Sequence, residues 1–275
     1  MSDPGLTSAR GAQVGRTLRA LGASWRVSLL TATQYRGDFL LTTGMSFLWS
    51  GWTVLPLFLV YQQTESVAGW NAWEALLVMA FFLMLRGVLD AFIEPNLRGL
   101  VEKVRDGTLD FVLLKPVDAQ VLVSFARIDP GRLMDVVNAL GLAVFALVKL
   151  GHVPGPGEIA LAALAVVSGL GILYSLWLCA AATTFFWVRV ESLSYLLGAL
   201  LDAGRWPAAV YRGWLRVVFT VVLPIVLMTT VPAEALLSRS GPEPVLMSLG
   251  LSGVFLFLSR RLWRFALSRY TSASS

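Results

Sequence analysis

The chain has 275 residues, 56% of them hydrophobic and 14% charged, with a mean hydropathy of +0.70 and a formal net charge of +5. Globular domains carry roughly 25% charged residues, so composition excludes an ordinary water-soluble domain and indicates an integral membrane protein. The basic residues flank apolar runs, which is the positive-inside bias of a membrane chain, and no aromatic-interleaved soluble surface exists to carry nucleic acid.

Residues 1–13 are small and polar and are expected to be a flexible N-terminus. Over 14–36, Val14, Leu18, Leu21, Trp25 and Leu29 recur at three- and four-residue steps, while Arg16, Arg19 and Arg26 occupy other faces. The pattern predicts an amphipathic helix lying in the membrane interface; a helix packed on a partner subunit would show the same residues. Nothing before Phe39 has the apolar core and small-residue cleavage site of a secretory signal.

Phe39–Tyr61 holds no Asp, Glu, Lys or Arg, and about 20 such residues cross a bilayer. Ala72–Ile93 is the expected second span, and the loop before it, free of Lys and Arg, is placed outside. Arg86, Asp90 and Glu94 stand at i, i+4 and i+8 near its inner end, followed by Pro95. On one helical face they read either as a structural ion pair or as an intramembrane gate and polar lining. A cytoplasmic loop comes next over 96–132, carrying Arg98, Lys103, Arg105, Lys115, Arg127 and Arg132. Within it, VRDGTLDFVLLKPV places Leu109, Phe111, Val112, Leu113 and Leu114 between Gly107 and Pro116. An apolar stretch with charged flanks suits either a docking helix for a soluble partner or a helix lying on the membrane.

Leu133–Leu150 is the third span. Ile159–Val188 is too long for one untilted span and too short for two. One arrangement has a long fourth span over 159–188 and a fifth over 215–231. The other has spans over 159–179 and 183–204, with 207–235 dipping into the outer leaflet and returning, its backbone broken by Pro207, Pro224 and Pro232. Val245–Ser259 closes the set, followed by Arg260, Arg261, Arg264 and Arg269 and a tail over 269–275. Either arrangement gives a six-span domain over 37–268 with both termini inside, and places 19 or 16 of the 22 basic residues on the cytoplasmic side.

The chemistry available to the chain is narrow. No GxxxxGK[ST] loop is present to bind ATP phosphates. His152 and Cys179 are the only residues of their kinds, so a His/Cys metal site lacks ligands and a nucleophilic triad lacks a placed base. No catalytic residue and no cofactor are expected, and Cys179 is expected to act as a small apolar residue without a disulfide partner.

GTLDFVLLKPVD (107–118), coming directly after a second span and a charged elbow, resembles the corresponding loop of bacterial type 2 ABC exporter permeases. It looks closest to the six-span subfamily whose permeases are often encoded in pairs beside an ATPase gene. RWPAAVYRGWLRVVFTVVLPIVLMTTVPAEALL (205–237) is similar to the group's region between the fifth and sixth spans, where a Pro-containing re-entrant segment favours the second arrangement. The resemblance implies an all-α permease of the bacterial inner membrane that pairs with a second permease, similar or identical. It also implies a cytoplasmic ABC ATPase subunit that binds the ATP and drives export of a small hydrophobic or cationic compound. It implies a coupling role for Gly107, Leu109, Asp110, Phe111, Leu114, Lys115 and Pro116, with Leu109, Phe111 and Leu114 as the packed knob. The rival reading is a non-transport scaffold or assembly factor that recruits a cytoplasmic partner through 96–132.

Overall fold

The computed structural model describes residues 4–34, 36–115, 117–186 and 191–270. It is all-helical; among the described residues there is no strand beyond an isolated bridge between Val67 and Trp70. The first helix, α1 (Pro4–Gln34), starts ahead of the expected Val14, so 4–13 are helical rather than loose. The first span is α2 (Arg36–Tyr61).

The second span begins at α3 (Ala72–Val88), where Asn71 and Glu74 form a reciprocal capping box that satisfies the free N–H groups of the first turn. It then runs through a π-turn (Leu89–Ile93) into α4 (Glu94–Arg105), so the helix continues well past Ile93 and the loop expected from residue 96 begins only after 105. Pro95 accounts both for the π-turn and for a contact beside it. Lacking an N–H, it cannot bond the Ala91 carbonyl one turn back, and that carbonyl instead accepts the Asp129 N–H at 2.9 Å. A proline inside the span thereby anchors the returning loop.

Two short helices come next, α5 (Asp110–Leu113) and α6 (Ala119–Phe125). The third span is α7 (Leu133–Leu150), stopped by Gly151 in the left-handed conformation. After it, α8 (Pro156–Ala182) and one 3-10 turn to Phe185 form a single unbroken rod. This is the long fourth span of the first arrangement, not a helix ending at Cys179.

Residues 191–236 follow neither arrangement along their whole length. Helix α9 (Glu191–Leu201) with a 3-10 turn over Asp202–Arg205 rises only about 22 Å at 1.5 Å per residue, short of a hydrocarbon core of about 30 Å. The chain then leaves through a short turn, α10 (Trp214–Val217) and a π-turn (Val218–Val222), bends by 84°, and continues as α11 (Ile225–Leu236). A Cβ on Gly204 would lie 3.1 Å from Ile225, and Ala208 N–H donates to Thr230 Oγ1 at 3.1 Å. Residues 204–208 therefore pack against 225–230, so the segment between them leaves and returns to one place in the bundle. The last span is α12 (Glu243–Ser268), longer than the expected Val245–Ser259.

Among the described residues five helices are long and apolar enough to cross a membrane, and there are six if the bent pair 214–222 and 225–236 counts as one span. Packing is closest between α3 and α7 and between α8 and both α11 and α12. Glycine sets that spacing: a Cβ on Gly87 would meet Val136 at 3.0 Å, and one on Gly169 would meet Met228 at 3.2 Å. Small residues let helix backbones approach where lipid provides no hydrophobic drive for association.

Candidate functional site

Both regions singled out in the sequence lie on the second span and the loop after it. Gly107, with φ +68°, takes the left-handed conformation that glycine adopts without strain and so ends α4. The chain then turns into α5, which presents two opposite faces. Leu109 is 0% exposed and Val112 is buried, both in the cluster that holds Leu100, Leu122 and Trp263. Phe111 and Leu114 point the other way, 70% and 81% exposed, with Leu113 and Lys115 beside them. Leu109 is thus a root of the turn rather than part of an exposed knob, because a residue already inside the fold cannot also enter a partner's groove. Asp110 lies within electrostatic range of the Tyr270 hydroxyl. Pro116 lies outside the described residues.

The turn is tied to two spans by a polar network. Asp118 caps α6, its Oδ1 accepting the Gln120 N–H at 2.9 Å. Arg260, in α12, spans the same carboxylate with two donors, Nη1 to Oδ1 at 3.1 Å and Nη2 to Oδ2, and also donates to Gln120 Oε1. Gln120 Nε2 donates to the Tyr174 hydroxyl of α8 at 3.0 Å, and Ser124 shares that hydroxyl at 2.8 Å. Bidentate guanidinium–carboxylate pairs fix geometry as well as charge. The Arg260 hydrogen bonds hold the Asp118 carboxyl below its ordinary range, against the opposing effect of burial. Sequence reasoning did not find this network: Arg260 sits among four arginines that satisfy the positive-inside bias, and nothing local marks it as different.

The intramembrane charges divide into two sets. Arg86 Nε meets Asp90 Oδ2 at 3.3 Å, while Glu94 pairs with Arg98. Asp90 lies within the π-turn and Glu94 just after it, and the two carboxylates remain within electrostatic range of each other although each has its own arginine. The first pair has a counterpart in 191–236. Asp202 and Arg205 pair at 2.9 Å, the Arg205 guanidinium lies over the Phe82 ring at 5.3 Å, and Arg86 Nη1 is 3.5 Å from where a Gly198 Cβ would be. Among the described residues, Asp90 Oδ1 and Arg205 Nε are buried without a hydrogen-bond partner. Charges in a span belong against protein or water, and this cluster marks the face of the bundle that requires one of them.

The opposite end is held by separate contacts. Arg239 pairs with Glu74 at 2.6 Å and stacks on Trp70, and His152 Nε2 is 2.8 Å from the Leu236 carbonyl. Among the described residues no group of three or more His, Cys, Asp or Glu could hold a metal.

The described residues thus form a multi-pass helical bundle with a braced surface turn at one end, charged pairs on its long helices and a sharply bent hairpin over 214–236. A family profile described as ABC-2 family transporter protein matches residues 47–274, and the chain belongs to that family. No curated protein and no solved structure matches it significantly. The chain is accordingly a membrane permease subunit of an ABC transporter.

Proposed function

We propose that this permease exports a small hydrophobic or cationic compound across the bacterial inner membrane, using ATP hydrolysed by a separate cytoplasmic ABC ATPase that docks on residues 107–115. The observation that carries the proposal is the two-faced turn: Phe111 and Leu114 exposed on a base whose Leu109 and Val112 are sunk in the core. An apolar tip on a rigid mount can transmit a push, whereas a loose loop would absorb it. The mount reaches α12 and α8 through Asp118, Arg260 and Tyr174, so displacement of the tip would reach two spans directly.

In this reading the ATPase engages Phe111, Leu114 and Lys115, with Asp110 and Gly107 shaping the turn. A second permease, the same chain or a similar one, covers the face bearing Arg86, Asp90, Asp202 and Arg205, and these residues line the path between the two subunits. Both termini are cytoplasmic. The test uses the permease co-expressed with an ABC ATPase encoded beside it and reconstituted in vesicles. Phe111→Asp with Leu114→Asp is expected to abolish co-purification of the ATPase and nucleotide-driven transport, while the isolated permease stays folded. Retained co-purification and transport would overturn the coupling assignment.

A further inference from the structure

A cavity of about 600 Å³ opens beneath α1, at the end of the bundle that carries α5 and α6. Ser24 and Ser28 of α1 roof it, Asp38 and Phe39 of the first turn of α2 form one wall, and the 126–131 link forms the floor. The floor is built rather than loose. Asn96, 4% exposed, grips the Arg127 main chain on both sides, accepting its N–H at 2.8 Å and donating to its carbonyl at 2.6 Å. The roof is fastened to it by Trp25 Nε1, which donates to the Phe125 carbonyl at 2.7 Å.

With its backbone fixed, Arg127 extends an exposed side chain that has no ion pair among the described residues. Its Nη1 lies 3.7 Å from the point where a Gly99 Cβ would stand, and Lys103 Nζ lies 3.5 Å from the same point. Lys103 donates to the Gly99 carbonyl at 3.2 Å and makes no ion pair among the described residues. Two cations thus converge over a glycine, with Lys115 within electrostatic range of Lys103. Two cations this close favour an anion between them, with Glu102 the acidic group within electrostatic range of Lys103. Across the cavity Asp38 is likewise without an ion pair among the described residues, whereas Asp129 Oδ1 is occupied by the Gly131 and Arg132 N–H groups at 3.0 and 3.4 Å. Arg127 and Asp38 both line the cavity, and Lys103 stands beside Arg127 outside its lining, so opposite charges flank a space at the start of α2. Beyond them, Leu40 and Leu41 of α2 and Leu29 and Leu30 of α1 are exposed and apolar.

We propose that this cavity binds a membrane glycerophospholipid. Its phosphodiester sits between Lys103 and Arg127, a hydrogen-bond-donating headgroup (the ammonium of ethanolamine or the hydroxyls of glycerol) faces Asp38, and its acyl chains run along α2. Free phosphate shares the first contact but makes no use of Asp38 or of the apolar face. The site is independent of the docking role given to Phe111 and Leu114.

The test is native mass spectrometry of the full-length permease, delipidated in detergent and titrated with phosphatidylethanolamine, phosphatidylglycerol or phosphatidylcholine. Ethanolamine and glycerol lipids are expected to be retained about tenfold better than the choline lipid, whose headgroup has no hydrogen to donate. Lys103→Gln with Arg127→Gln should lower that retention by a similar factor, with the lipid-free unfolding temperature unchanged. Asp38→Asn should remove the preference over the choline lipid. Equal retention of all three lipids by the unaltered protein would overturn the proposal whatever the variants do, and so would displacement of the lipid by millimolar inorganic phosphate.

Discussion

Leu109 and Phe111, two residues apart, respond to the same substitution through different physics. Leu109→Asp places a charge in the core cluster that also holds Leu100 and Trp263. It is expected to destabilise the permease by about 3 kcal/mol or more, seen as a lowered unfolding temperature before any partner is added. Phe111→Asp changes a side chain that is mostly exposed; it should leave unfolding within about 0.5 kcal/mol of the parent and act on ATPase binding alone. Arg260 offers a test with a pH signature. Because Asp118 is held low by Arg260, its share of stability is complete above the unfolded carboxyl value of about 3.9 and is lost as pH falls through the folded value. The stability difference between the parent and Arg260→Gln should thus be constant from pH 6 to 8 and shrink in acid below about pH 4. A difference that instead changed near pH 7 would mean a group other than Asp118 sets it.

At the scale of elements, the first and third spans were legible because an uncharged apolar run of membrane length leaves the backbone no other way to satisfy its hydrogen bonds in lipid. Leu133–Leu150 agrees to the residue because Gly151 gives a local stop. The second span runs past its expected inner end for the opposite reason: α4 is polar, and a helix continuing out of the membrane loses the apolar signal while keeping its hydrogen bonds. Its π-turn has a visible cause in Pro95, yet which arginine each carboxylate takes, Arg86 for Asp90 and Arg98 for Glu94, depends on where the turn falls. The 191–236 region was ambiguous because two short helices meet at Gly204 and Ile225, a tertiary contact that no local period encodes. Close approach also makes a glycine prediction at this scale. Gly87→Ala puts a Cβ 3.0 Å from the Val136 backbone nitrogen, a neighbour that cannot rotate away. Prising α3 from α7 should cost about 1–3 kcal/mol, measured by thermal unfolding in detergent, whereas Gly141→Ala, with open space around it, should cost nothing measurable.

For the whole molecule, the helices fix which loops share an end, and the docking assignment requires the α5 end to face the cytoplasm. Arg260 with Asp118 and Trp25 with Phe125 gather one end; Arg239 with Glu74 and His152 with Leu236 gather the other. Arg216 lies within electrostatic range of Glu234 in α11, which puts it with the bent hairpin, away from the basic residues of the α5 end. The positive-inside bias is what supports the proposed orientation with α5 inward. Cys179 is the single native thiol and is only partly accessible, so a Cys179→Ser background allows one thiol to be placed at a time. Val153, 90% exposed in the loop after α7, and Lys115, exposed beside α5, stand at opposite ends. A membrane-impermeant maleimide added to intact cells should label Val153→Cys and spare Lys115→Cys, and inverted vesicles should reverse the pattern. Labelling of Lys115→Cys in intact cells would remove the α5 tip from any cytoplasmic ATPase. The helix packing would stand unchanged, because every contact that builds the bundle is indifferent to which side of the membrane holds the nucleotide.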